Sequence, residues 1–378
     1  MEGLVHEPVA SQPEEQSTQI TASRGFARWL ALYGASLAFT SYQTGQLFLV
    51  GVTPNGTLSL HQRNFLRAMG LAGDADRLYL ASLAQIWRLE NVLGFEERAN
   101  GYFDRLYVPR NGQTVADIDV HELGIETSGR VIFVNTKYSC LATTSTSHSF
   151  KPIWRPDFIS RLAPEDRCHL NGLCMENGRP RYVTAVSTTD IVDGWRGHRR
   201  EGGVVIDIDT DARLAEGLSM PHSPRLHDGA LWVLDSGNGY LTRIDRGTGA
   251  RDRVAFLPGF LRGLSFHAGH AIVGLSRPRD GAFEGLALQE ELARRGGEPW
   301  CGVQIVDVAN GDVVEWLRLD GAIRELFDVK VLPGIACPMA LPTSGPDLAS
   351  FITIEPPDRP LAERNVFGDT RLVLNRSE

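Results

Sequence analysis

PHSPRLHDGALWVLDS, residues 221–236, reads as a strand, a tight Asp-Gly turn and a second strand of alternating apolar character. Four more segments follow the same plan: RAMGLAGDADRLYLAS from Arg67, HELGIETSGRVIFVNT from His121, HLNGLCMENGRPRYVTAVS from His169 and LRGLSFHAGHAIVGLS from Leu261. Self-similarity at a period of about 50 residues marks a repeat architecture. Units built of strands alone mark the blades of a β-propeller. A propeller sets equivalent positions of every blade around one central channel, so polar residues scattered along the chain are expected to face one another.

Working outward, each blade is assigned strands A to D from the channel to the rim. Blade 1 takes A from Gly70, then RLYLAS, QIWRLEN and RLYVPR. GGVVIDIDTD, YLTRIDRGTG and GVQIVDVANG are the C strands of blades 3, 4 and 5. They share apolar–x–apolar–Asp before a small-residue turn, the pattern of a C–D hairpin. A sixth A strand, ELFDVKVLPG from Glu325, lacks outer strands after it, while SLAFTSYQ, QLFLVGVTPNG and TLSLHQRNF near the start lack an inner one. The expected fold is therefore all-β: a six-bladed β-propeller over residues 23–340, its last blade closed by both ends of the chain. Closure of this kind leaves no free sheet edge. Residues 1–22 are expected to be a disordered leader and 341–378 a loosely packed tail. FEGLALQEELARRG, residues 283–296, has helical spacing and a Gly-Gly stop. Residues 141–167 form a long aromatic and proline-rich insertion between blades 2 and 3, and seven blades follow if it conceals a further sheet.

Composition excludes some functions. A net charge of −8 argues against a global basic field for nucleic acid. The apolar run Trp29–Phe39 is too short to span a bilayer, so no membrane partner is expected. Five cysteines without framework spacing, and an acidic start without a positive n-region, place the chain in the cytoplasm.

The chemistry is expected at one channel mouth. Loops leading into the A strands offer Arg67, Asp117, Asp119, His121, His169, Asn171, His222, Ser223, Arg262 and Asp328. The B–C loops offer Tyr42, Gln43, Ser82, Asn135, Lys137, Asp235, Ser236, Ser276 and Arg277. His169, His222 and His121 are the candidate acids and bases, with Asp119 or Asp235 to orient an imidazole. The same three histidines are the candidate ligands of a divalent transition metal, although they lack local ligand spacing and His121 stands in a different repeat register from the other two. Arg67 and Arg262 are placed to clamp an anion, with Tyr42, Gln43, Asn135, Lys137, Asn171, Ser223 and Arg277 completing the substrate set; charge balance against the channel aspartates is the structural alternative. DIDTD at 207–211 lacks the glycine and the final glutamate of a calcium loop. Cys168 faces away from its neighbour His169 on a strand and reads as core.

The strings SYQTGQL, NTKYSCLAT, PEDRCHLNGL, RYVTAVSTTD and MPHSPRLHDGALWVLDSGNG together resemble a bacterial family of conserved hypothetical, domain-of-unknown-function proteins over about residues 25–345. The resemblance implies one intact unit and no particular reaction. Two functions are carried forward. One is an enzyme (hydrolase, lyase or isomerase) acting on a small anionic molecule at the mouth. The other is a non-catalytic propeller that binds a ligand, or a protein partner through the 141–167 insertion.

Overall fold

The computed structural model describes residues 18–277 and 285–355. Six small antiparallel sheets form a ring, each with its first strand on the channel. The inner strands of blades 1 to 5 are Leu71–Gly73, Val120–Ile125, Leu170–Glu176, Pro221–His227 and Phe260–His267. Blade 6 takes its inner strand, Val329–Pro333, from the far end of the chain and its outer three, Ala35–Ser41, Gln46–Val52 and Leu58–Asn64, from the near end. The six-bladed reading and the closure of the last blade are both borne out.

Adjacent blades bury six separate apolar seams instead of one central core. Phe39, Phe48, Ile305 and Leu317 pack between blades 5 and 6. Ile132, Leu141, Leu173 and Val183 do the same between blades 2 and 3. Each blade thus depends on both neighbours, the reason such folds must close or cap. Hydroxyl groups at the ends of B strands add a polar stitch across four seams. Thr40 donates to Met69 O at 2.6 Å, Thr136 to Leu170 O at 2.7 Å, Ser236 to Leu261 O at 2.7 Å and Ser276 to Leu326 O at 3.1 Å. Ser236, expected at the mouth, is therefore one of these ties. The inner strands lie so close that a Cβ on Gly263, at φ +80°, would stand 2.4 Å from Val329 N, so only glycine fits there.

Midway along the channel an ionic staple joins the blades. Arg225 pairs with Glu122, lies 3.9 Å from Asp328, and donates to Leu264 O at 3.0 Å and Leu173 O at 3.2 Å. Glu122 and Asp328 also accept the backbone N–H groups of Leu173 and Leu71, at 2.8 and 2.7 Å. Burial pushes both carboxyls up against the pull of Arg225. Asp328 is thus a structural plug, a correction to its expected place at the mouth.

The outer edges of blades 5, 2 and 1 carry further strands. Gln19–Ala22, expected within the leader, is a fifth strand on the outer edge of blade 5. The insertion conceals no seventh sheet: Cys140–Thr143 and Lys151–Trp154 are the two outer strands of blade 2. After the ring closes, Pro338–Ala340 adds a parallel strand to the edge of blade 1, and Asp104 accepts the N–H groups of Ala336 and Cys337, both at 2.8 Å. The expected helix is present as Ala287–Arg295, ended by Gly296 in the left-handed conformation; residues 283 and 284 lie outside the described residues, as do 1–17 and 356–378. No helix among the described residues is long and apolar enough to cross a membrane.

Candidate functional site

Backbone conformation aims the site. Four residues just ahead of inner strands have positive φ despite carrying side chains: Arg67 (57°), Asp119 (56°), His169 (50°) and Met220 (47°). They belong to blades 1 to 4, and all four line one cavity of about 360 Å³ at the mouth. Each left-handed residue other than glycine costs on the order of 1 kcal/mol or more. Recurrence at one place in successive blades, always toward one cavity, points to a site and not to isolated turns.

His121, Arg262, Tyr42, Glu325, Phe260, Phe327 and Trp195 complete much of the wall. Of the residues singled out from the sequence, Arg67, Asp119, His121, His169, Arg262 and Tyr42 share this cavity. Arg67 pairs with Asp119 and lies 3.3 Å from Asp117. Burial works against the Asp119 charge, but His121, His169, Arg67 and Arg262 outweigh it and hold the carboxyl below its usual range.

The tautomer of His121 follows from its neighbours. Thr136 has one proton and gives it to Leu170 O, so at 2.8 Å the hydroxyl can only accept from His121 Nδ1–H. The other ring nitrogen, Nε2, keeps its lone pair and has no hydrogen-bond partner among the described residues. Burial lowers the His121 pKa to about 4 against the opposing pull of Asp119, so the ring is neutral at pH 7.

His169 is set differently. Its Nδ1 lies 2.8 Å from Asp166 Oδ2, which also accepts the Trp195 indole N–H at 2.9 Å. Trp195 stacks on the imidazole with ring centroids 4.2 Å apart, and His121 meets its edge at 5.0 Å. The carboxylate holds a proton on Nδ1 and leaves the Nε2 lone pair of this cavity residue unused, the tautomer that acid–base histidines need. Trp195 is fixed in turn by Met220, Phe260, Leu288 and Leu292, an apolar cluster beneath the mouth.

Arg262 lies over three rings: Phe327 at 4.8 Å, Tyr42 at 5.5 Å and Phe260 at 5.6 Å. Its Nε is buried without a hydrogen-bond partner among the described residues. Burial lowers its pKa, partly offset by the Glu325 and Asp119 carboxylates. Tyr42 donates its phenol proton to Glu325.

The remaining candidates are corrected. His222 is the structural equivalent of His121, each ring reaching the carbonyl two residues back, at 2.8 and 3.3 Å; His169 is the odd one of the three, reversing the register read from the sequence. His222 sits behind the wall, its Nε2 facing the Asn171 amide at 3.4 Å, and burial holds its pKa well below the usual value. Asn171 is locked in turn by Thr184 at 2.7 Å. The three histidines therefore do not converge as a ligand set, and no group of three or more metal-ligating side chains stands together among the described residues. Asp235 orients no imidazole: it accepts Ser219 N–H and the Asn238 amide, both at 2.7 Å, and burial raises its pKa. Gln43 bonds Ala322 O and Arg324 N, Asn135 caps the Tyr138 turn, and Ser223 accepts Gly263 N–H. Arg277 pairs with Asp320, and Lys137 with Asp117 at 2.9 Å. These are loop and seam ties. Asp207 likewise pairs with Arg181 at 2.6 Å, as a strand-end aspartate should.

Asp166, Trp195, Arg196, Arg199, Glu325 and the aromatic pair Phe260 and Phe327 were not singled out from the sequence. The His169 partner was within reach, since Asp166 stands three residues before it in PEDRCHL. Trp195 lies in a loop with no repeat register, and no sequence signal placed it.

The molecule is thus a six-bladed β-propeller with a basic and aromatic pocket at one mouth. The family model "Domain of unknown function (DUF4915)" matches residues 24–341, and the chain belongs to that family. A search of curated proteins returns no match. Among solved structures, a chain of the "Crystal structure of Nidogen/Laminin Complex" aligns with a TM-score of 0.50 at 12% identity, over 80% of this chain and 100% of its own. That likeness concerns the fold alone.

Proposed function

We propose that the mouth pocket binds a small organic anion and acts on it by acid–base chemistry. The observation that carries this reading is the meeting, in one cavity, of His169 backed by Asp166, of His121 and of Arg262, the last two with a ring Nε2 and a buried Nε that have no hydrogen-bond partner among the described residues. Arg262 supplies the positive charge, held by aromatic faces that exclude water and strengthen its attraction for an anion. His169 moves the proton, and Asp166 keeps its tautomer. Hydrolysis, lyase chemistry and isomerisation all use such a set. A metal is not part of this reading, because Asn171 occupies the third imidazole.

Binding without catalysis is the second reading, and the same pocket serves it. The protein-docking form has less support. Trp154 donates to Asp211 at 3.0 Å, and Phe158 packs with it on the seam of blades 2 and 3, so the aromatic groups of the insertion are engaged within the propeller. A cytoplasmic location also belongs to this proposal, supported by five cysteines that are all unpaired and buried.

The test is a thermal-shift panel of small carboxylates, phosphates and sulfates on the native protein and on Arg262→Gln. Ligands that raise Tm only in the native protein are then assayed for turnover with His169→Gln as control. Stabilisation indifferent to Arg262 overturns the anion site. Specific binding without turnover selects the non-catalytic reading.

A further inference from the structure

Two groups of the pocket, one donor and one acceptor, are left over once the protein has satisfied itself, and together they describe a ligand. Arg262 offers N–H groups; its buried Nε has no partner among the described residues. His121 offers only a lone pair on Nε2, because Thr136 commits Nδ1 as a donor. Both groups pack on the same ring, Phe327, at 4.8 Å for the guanidinium and 5.2 Å for the imidazole. A bare carboxylate answers Arg262 and leaves His121 facing another acceptor. A plain cation answers His121 and is repelled by the four guanidinium groups of the wall, Arg67, Arg196, Arg199 and Arg262, set against Asp119 and Glu325.

Resting on the anion reading above, we propose that the ligand is a small hydroxycarboxylate, its carboxylate on Arg262 and its hydroxyl donating to His121 Nε2. The roles of the two histidines then separate. His121, neutral and tied through Thr136 to the next blade, is the group that reads the hydroxyl. His169, tied to a carboxylate, is the group that exchanges a proton. A cavity of about 360 Å³ is at the small end for ligand sites, which fits an acid of a few carbons. Selectivity arises because a buried acceptor left without its donor penalises the analogue that lacks the hydroxyl.

Matched pairs decide this: lactate against propionate and malate against succinate, titrated calorimetrically into the native protein. The hydroxylated member of at least one pair is expected to bind about tenfold more tightly, and His121→Phe to bring the ratio within that pair to about one. Equal binding within both pairs overturns the hydroxycarboxylate and leaves the anion site standing. Failure of all four acids to bind overturns the hydroxycarboxylate and leaves the anion site to the phosphates and sulfates of the thermal-shift panel; binding unaffected by Arg262→Gln overturns both. The native comparison is decisive by itself if His121→Phe does not fold.

Discussion

The Trp195 indole and the His169 imidazole lie stacked, and both donate to one oxygen of Asp166, at 2.9 and 2.8 Å. One half-buried carboxylate therefore positions the base and the wall of the pocket together. Asp166→Ala orphans two buried donors and is expected to cost about 2 kcal/mol. Asp166→Asn keeps an acceptor oxygen and loses less. Urea unfolding gives the order, and red-shifted tryptophan emission in the alanine variant reports release of Trp195.

The left-handed backbone at Arg67 predicts a difference between two truncations. Both Arg67→Ala and Arg67→Gly remove the ion pairs to Asp117 and Asp119, but only glycine relieves the positive φ. Arg67→Gly is expected to be more stable than Arg67→Ala by about 1 kcal/mol. Equal stabilities would show that the strain is absent.

Removing Arg225 leaves Glu122 buried without its cation and Asp328 with only the weaker pull of Lys330. Arg225→Met is expected to destabilise by about 3–5 kcal/mol. Adding Glu122→Gln to that background recovers part of the loss, a non-additivity that a double-mutant cycle measures.

His121 predicts a pH dependence with a definite sign. Its folded pKa of about 4 lies below the ordinary value of 6.5, so in acid the unfolded chain takes up this proton first. The stability linked to His121 is full above pH 6.5 and is lost as pH falls toward 4. Over that window the native protein should lose up to about 3 kcal/mol more than His121→Phe. Parallel unfolding free energies of the two proteins across the window would refute the burial of a neutral ring.

Much of the architecture was legible because its causes are local. Alternation in HAIVGLS and the turn in LHDGALW specify strands and hairpins wherever they occur, and the unmatched strands at both ends left closure as the way to complete the last blade. The Lys151–Trp154 edge strand was obscured because four residues with a proline carry little alternation, and its pairing with Cys140–Thr143 includes a register shift. The mouth was legible only as a pool of residue types. Tyr42, Arg67, Asp119, His121, His169 and Arg262 reached the cavity, whereas Gln43, Asn135, Asp235, Ser223 and Arg277 satisfied loops and seams.

By itself, then, the sequence determined the repeat, the number of blades and the supply of histidine and arginine near the channel, since periodicity and turn chemistry act over a few residues. Only the tertiary structure decided which of those side chains remain unsatisfied. That depends on partners some 15 to 50 residues away, Thr136 for His121, Asn171 for His222 and Asp119 for Arg67. It depends too on the left-handed residues Arg67, Asp119, His169 and Met220, which the closed ring sets around one cavity. Hydrogen-bond completion is a property of the closed ring, and the groups it leaves incomplete are the ones available to a ligand.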